Sequence, residues 1–346
     1  MAYALLALEN PLLDIQANVK QELMDKYGFV SNGAMLASEK EQGLYEEIVR
    51  DYPVVYVAGG AAQNTARGAQ YLLPANSTVY MGCVSNDQYA DQMKKAASED
   101  GLETKYQIVE NVPTGTCAVL ITGQDRFLCA NLSASEKFSV DTLQKPENWK
   151  VVESAKNFYI GAFFISHDGG YASSLAVGKH AAETNKAFTM NLSAPWVALA
   201  FRDRLDAVLN YADIVFGNED EARSYSKVAG WETDDVKEIA AKFAQLPKAN
   251  TQRPRIVVFT QGADETVVAV GDKVTVHPVE KVSSSEIVDT NGAGDGFCGG
   301  FLGLYTQGVE DLHKCVNAGH YIAGLVIRRV GPTYPPMAER TNIPEF

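Results

Sequence analysis

The chain has 346 residues, enough for about two domains of ordinary size and a large buried core. Its 46% hydrophobic and 21% charged residues are the proportions of a globular protein and exclude a disordered or collagen-like chain. Forty-three acidic against thirty basic side chains leave a net charge of −13, the wrong sign for gripping a nucleic-acid backbone, although a local patch could still hold a small anion.

The apolar start Ala4–Leu8 lacks a basic flank and is interrupted by Glu9, so it does not read as a signal peptide. Residues 15–58 mix two charged helices with a short strand at Ala34–Ala37. From Val54–Ala58 onward, short apolar runs alternate with stretches of helical spacing. The runs continue at Val79–Val84, Phe158–Phe164, Phe188–Leu192, Ile214–Phe216 and Ile256–Thr260, each bounded by Gly, Asn, Asp or Pro. The helical stretches are Ala61–Leu73, Asp87–Glu99, Ser173–Asn185, Asp203–Tyr211 and Asp235–Leu246. This alternation predicts an α/β fold with a mainly parallel sheet covered on both faces. Two hairpins interrupt it. One runs from Thr116–Thr122 through Gly123-Gln-Asp125 to Arg126–Leu132, and the other spans Val267–His277 with Gly271-Asp272 at its tip. The segment Ala293–Arg329 reads as helix.

Five scattered cysteines without a Cys-x-x-Cys spacing read as free, mostly buried thiols in a reducing compartment. The triplets beginning at Asn76, Asn131 and Asn191 match the glycosylation pattern by chance in a chain that is not secreted. No run of about 18 uncharged apolar residues is present, so no membrane span is expected.

The segment Ile287-Val-Asp289-Thr-Asn291-Gly292-Ala293-Gly294-Asp295 reads as a strand end, a glycine turn and a helix start. Backbone N–H groups of Gly292, Ala293 and Gly294 would face an anion there, helped by the helix dipole. Asp295 then reads either as a general base beside a bound phosphoryl group or as an ordinary first-turn acid. Gly294-x-Gly296-x-x-Gly299 matches the dinucleotide fingerprint only formally, since it begins inside the presumed helix, and no Walker-type loop occurs. Gly59, Gly60 and Asn64 follow the strand Val54–Ala58, where open α/β sheets bind ligands, or form a plain turn with a solvated Asn. Asn218 and Glu221, three apart after Phe216, could hold hydrated magnesium or merely start an acidic helix. Thr260-Gln-Gly262 ends another strand. If the strands ending at Ala58, Phe216, Thr260 and Val288 share one edge, their turns line a single crevice.

Read together, these segments resemble the ribokinase-like (PfkB) family of sugar and nucleoside kinases. The resemblance runs nearly end to end, through Asn10-Pro-Leu-Leu-Asp14, Gly59-Gly60…Asn64, Thr114-Gly-Thr-Cys117, Asn191-Leu-Ser-Ala-Pro195, Phe216-Gly-Asn-Glu-Asp-Glu221, Thr260-Gln-Gly262, Asp289-Thr-Asn-Gly-Ala-Gly-Asp295 and Ala318-Gly-His-Tyr321. The opening motif and Asn-Leu-Ser-Ala-Pro point to its adenosine-phosphorylating branch. The resemblance implies a ribokinase-like, doubly wound, mainly parallel sheet with a small α/β lid. Residues 1–14, 59–112 and 134–346 would form the large domain, and 15–58 with 113–133 the lid.

It also implies transfer of the ATP γ-phosphoryl group to the 5′-hydroxyl of adenosine. Asp295 would be the base, Gly292, Ala293 and Gly294 the anion hole, and Arg126 a lid cation over the phosphates. Asp14, Gly60 and Asn64 would grip the ribose, with Asn10, Gly59, Asn191 and Asn291 beside the nucleoside. Leu12, Leu36, Leu128, Ala130, Phe164 and Trp196 would surround the base, Trp196 being larger than the aromatic often found there. Asn218, Thr260, Gly262, Asn317 and His320 would serve ATP, and Asn218 with Glu221 would place Mg2+. A cytoplasmic monomer, with no nucleic-acid or membrane partner, is the accompanying expectation.

Overall fold

The computed structural model describes residues 2–31, 33–123, 125–336, 339–340 and 343–346; Gln124, in the expected hairpin turn, lies outside them. The strands, in chain order, are β1 (Leu5–Leu8), β2 (Leu12–Asn18), β3 (Ala34–Leu36), β4 (Val54–Gly59), β5 (Thr78–Met81), β6 (Cys83–Ser85), β7 (Glu103–Thr104), β8 (Gln107–Val109), β9 (Thr116–Thr122), β10 (Asp125–Asn131), β11 (Asn157–Gly161), β12 (Ala187–Asn191), β13 (Ile214–Asn218), β14 (Ile256–Gln261), β15 (Asp264–Val270) and β16 (Lys273–His277).

Nine of them form a large sheet in the order β16-β15-β14-β13-β12-β11-β1-β5-β7. Pairing is parallel from β7 to β14 and antiparallel through the β14–β15–β16 meander. Successive side chains on a strand point to opposite faces. Leu6, Leu8, Phe158, Phe188 and Val257 therefore pack toward Val177, Leu205, Tyr225 and Phe243 of one helical layer. Leu5, Ala7, Tyr159 and Phe216 pack toward Ala62, Phe297, Phe301 and Val316 of the other. Each large apolar side chain buried this way stabilises the fold by about 1.5–3 kcal/mol. Double coverage is also why these strands read as continuous apolar runs.

The second layer contains the helices Ala61–Tyr71, Ala293–Tyr305 and Leu312–Ile327. They touch backbone to backbone: a Cβ on Gly299 would lie 2.6 Å from the Thr65 carbonyl, and one on Gly300 2.2 Å from that of Ala318.

The smaller sheet has the order β3-β10-β9-β2-β4. One face packs on the helices Gln21–Tyr27 and Leu44–Asp51 through Ile15, Leu23, Met24, Ile48 and Phe127. The other turns Leu12, Cys117, Leu128 and Ala130 toward a cavity shared with the large sheet.

Several sequence expectations need correction. Val54–Ala58 is not a buried strand of the large sheet. As part of β4 it edges the small sheet, antiparallel to β2, with Val55 and Tyr56 exposed. The run Val79–Val84 is broken at Gly82, where a Cβ would strike Pro11, and Phe158–Phe164 stops at Gly161 before a 3-10 turn, Ala162–Ser166. Ile287 and Val288 form no strand. They are exposed, and the N–H groups of Val288 and Asp289 both donate to the Ile327 carbonyl, capping the end of a helix. The strands β1 and β2 were not anticipated.

Candidate active site

A cavity of about 460 Å³ lies between the carboxyl ends of the large-sheet strands and the inner face of the small sheet. Its floor is the helix start at Gly292. That residue has φ 75°, and a Cβ on it would sit 2.6 Å from Pro332. The N–H of Ala293 closes on the Thr290 carbonyl at 3.3 Å, and that of Gly296 on the Gly292 carbonyl at 2.8 Å. Nothing lies within 4 Å of a Cβ built on Gly294, so its backbone is open to an approaching group. The turn thus presents helix-start amides and partial positive charge to the cavity.

Asp295 stands in the first turn above this floor. Its Oδ2 accepts from Asn64 Nδ2 at 3.0 Å. Desolvation lifts its pKa to about 6, with the Asn64 bond pulling the other way. It is therefore charged at neutral pH and close enough to neutrality to take a proton, as a general base requires. Asn64 comes from the helix Ala61–Tyr71, whose start follows Gly60 at φ 90°. The hydroxyl of Tyr334 donates to the Asn64 carbonyl at 2.9 Å and fixes that turn from the C-terminal side.

Three further buried carboxylates, Glu9, Asp14 and Glu221, line the cavity. Asp14, on β2, is raised to about 8 by burial and then by the charges of Asp295 and Asp289. Glu221 is raised to about 7 by burial, opposed by the Asn218 N–H. Asn218 and Glu221 form a reciprocal cap: Asn218 Oδ1 accepts the Glu221 N–H at 2.8 Å, and Glu221 Oε2 the Asn218 N–H at 2.9 Å. Both residues also line the cavity. Arg126, on β10, reaches across from the small sheet and pairs with Asp289 at 2.7 Å. The same Asp289 carboxylate accepts the N–H groups of Asn291 and Gly331.

The remaining wall has two characters. Leu12, Leu36, Leu128, Ala130 and Trp196 make it apolar, while Asn10, Asn191, Asn291, Gly60 and Thr260 make it polar. Asn64 Oδ1 and Trp196 Nε1 are buried there without a hydrogen-bond partner among the described residues. Orphaned polar atoms in a cavity wall mark where a ligand supplies the partner.

Not every expected residue lies here. Phe164 is fully buried in the core, its ring 5.3 Å from those of Phe138 and His167; the 3-10 turn presents Phe163 to the cavity instead, where it packs 5.8 Å from Trp196. Gly59 sits behind Asp14, whose carboxylate would touch a Cβ there. Gly262 lies at the β14–β15 turn, while Asn317 contacts His313 and His320 pairs with the Thr266 hydroxyl at 2.8 Å. These three do not line the cavity. Glu9 and Ser193 do; Ser193 lies within the Asn191–Pro195 motif, whereas no local motif marked Glu9.

The pfkB family carbohydrate kinase model matches residues 24–339. The chain is 47% identical over 332 residues to adenosine kinase 1 of Arabidopsis thaliana, covering 96% of each protein. It is 43% identical over 345 residues to adenosine kinase of Schizosaccharomyces pombe, covering 99% of each. The structure of Anopheles gambiae adenosine kinase in complex with P1,P4-di(adenosine-5) tetraphosphate superposes with a TM-score of 0.93 at 39% identity, over all of both chains.

Proposed function

The chain belongs to the pfkB family of carbohydrate kinases, and from that premise we propose that it is an adenosine kinase, moving the γ-phosphoryl group of ATP to the 5′-hydroxyl of adenosine to give AMP and ADP. The observation that carries this is Asp295, held by Asn64 above a glycine helix start, at the bottom of a cavity whose wall is apolar on one side.

Phosphoryl transfer asks a protein mainly for positioning and charge stabilisation. Asp295 takes the proton of the 5′-hydroxyl as its oxygen attacks. The amides of Gly292, Ala293 and Gly294 receive the negative oxygens of the transferred group. Arg126 adds positive charge from the small sheet. Asp14 and Asn64, with the backbone at Gly60, hold the ribose. Leu36, Leu128, Phe163 and Trp196 face the base, whose flat rings gain most from such walls. ATP enters along Asn218 and Thr260, with Gly262, Asn317 and His320 further out. Residues 15–58 and 113–133 act as the lid, excluding water that would otherwise hydrolyse ATP.

Among the described residues no group of three or more His, Cys, Asp or Glu side chains is placed to hold a metal. That suits Mg2+, which is commonly bound by one or two carboxylates, waters and the substrate's own phosphates. Glu221 and Asn218 fit this mode, and the ion would supply charge neutralisation at the phosphates. No helix among the described residues is long and apolar enough to cross a membrane. All five cysteines are free and buried, as suits a reducing compartment.

An assay of ATP-dependent product formation with adenosine, inosine, guanosine and ribose tests the reading. Adenosine is expected to be the best substrate; preference for ribose would reject the assignment of the apolar wall to a base.

A further inference from the structure

His167 follows the 3-10 turn Ala162–Ser166, and the mechanism above gives it no task. It caps the helix Asp168–Glu183, where its Nδ1 accepts the Gly170 N–H at 3.1 Å. A backbone N–H can only donate, so Nδ1 carries no proton. The ring is therefore neutral, and its proton is on Nε2. Burial acts the same way: it pushes the pKa down to about 4, against the pull of Asp168 and with help from Arg204 and Lys137.

Nε2 lies 3.0 Å from Asn10 Oδ1. A donor at that place takes the amide oxygen of Asn10 and leaves the amide nitrogen for another partner. Asn10 Nδ2 accordingly donates to the Phe163 carbonyl at 3.4 Å, which also accepts the Ser166 hydroxyl at 2.7 Å. The order of control is plain. A helix-start N–H sets the tautomer of the imidazole, the imidazole sets which way round the Asn10 amide sits, and the amide ties the 3-10 turn to the end of β1. Asn10 and Phe163 both line the cavity, and His167 stands behind them. The Phe163 ring packs 5.8 Å from Trp196 on the apolar side, while the Phe164 ring is held edge-on against His167 at 5.3 Å.

We propose that His167 is a positioning residue for the nucleoside: it locks the Asn10 amide, and with it the turn that carries Phe163, in the arrangement that presents both to the base side of the cavity. The assignment rests on the adenosine reading.

The test is calorimetric titration of adenosine, with steady-state kinetics, on variants that separate the two bonds of His167. His167→Asn can still cap Gly170 through its amide oxygen but is too short to reach Asn10. His167→Gln can place an amide nitrogen where Nε2 stands. His167→Asn is expected to raise the adenosine Kd about fivefold, with kcat and the KM for ATP within about twofold of wild type, and His167→Gln to bind within about twofold of wild type. Adding His167→Asn to Asn10→Ala is expected to cost no further affinity, because the histidine acts through the asparagine. A histidine that merely caps its helix gives the reverse pattern, with wild-type binding by His167→Asn. That result overturns the assignment while adenosine turnover stands, as do losses that multiply in the double variant or His167→Gln binding as weakly as His167→Asn. His167→Leu, which keeps neither bond, carries the same test if His167→Asn does not fold. Wild-type protein that neither binds adenosine nor forms AMP overturns the substrate reading and this assignment with it.

Discussion

Asp295 and Arg126 make separable contributions. Asp295→Asn keeps a side-chain oxygen for Asn64 Nδ2 but cannot take a proton. Its kcat is expected to fall by about 10²–10⁴ with adenosine affinity largely kept, measured by steady-state kinetics and equilibrium binding. Unchanged turnover would reject the base. Arg126→Ala is expected to slow turnover more than it weakens nucleoside binding, as its proposed role at the phosphates requires; equal losses in both would mark a structural arginine paired with Asp289. Burial places Asp295 at about 6 and the reactive form is the carboxylate. kcat/KM should therefore fall about tenfold per unit below that pH. A profile flat down to pH 4.5 would contradict this. The motif Asp289–Asp295 was legible from sequence because small residues at a helix start have few other uses. Phe163 was not: the choice between neighbouring phenylalanines depends on the 3-10 turn after Gly161, which rotates one ring into the core and the other into the cavity.

The elements were legible where two-sided burial wrote continuous apolar runs, as in β12, β13 and β14. Where length or context intervened they were not. The four residues of β1 are too few to show a period, and Ile287-Val288 looks like a strand although its backbone serves a helix end. Arg255 was equally silent in sequence. Buried at 2% exposure, its guanidinium donates to the carbonyls of Leu209, Ala212, Phe243, Leu246 and Pro247, closing two helix ends against β14. Arg255→Met leaves those carbonyls buried without donors and is expected to cost about 3 kcal/mol in urea unfolding. A loss below about 0.5 kcal/mol would show that neighbouring groups already satisfy them.

Across the whole molecule, the net charge of −13 opposes an approaching ATP, while the proposed roles of the helix start and Arg126 require local attraction. Screening the long-range repulsion should raise kcat/KM for ATP as salt increases from a few millimolar toward about 0.1 M, measured at saturating adenosine. A steady fall would mean that the local cations dominate at a distance too. The two-sheet division could be anticipated from where the alternation of strand and helix breaks, but the cavity's depth could not, because it depends on side chains brought together from both ends of the chain. The final stretch shows this most directly: Gly331 N–H holds Asp289, Pro332 backs Gly292, and Tyr334 pins Asn64. One short stretch of chain thus braces the Arg126 partner, the glycine helix start and the Asn64 turn together, so a substitution in it is expected to disturb all three at once.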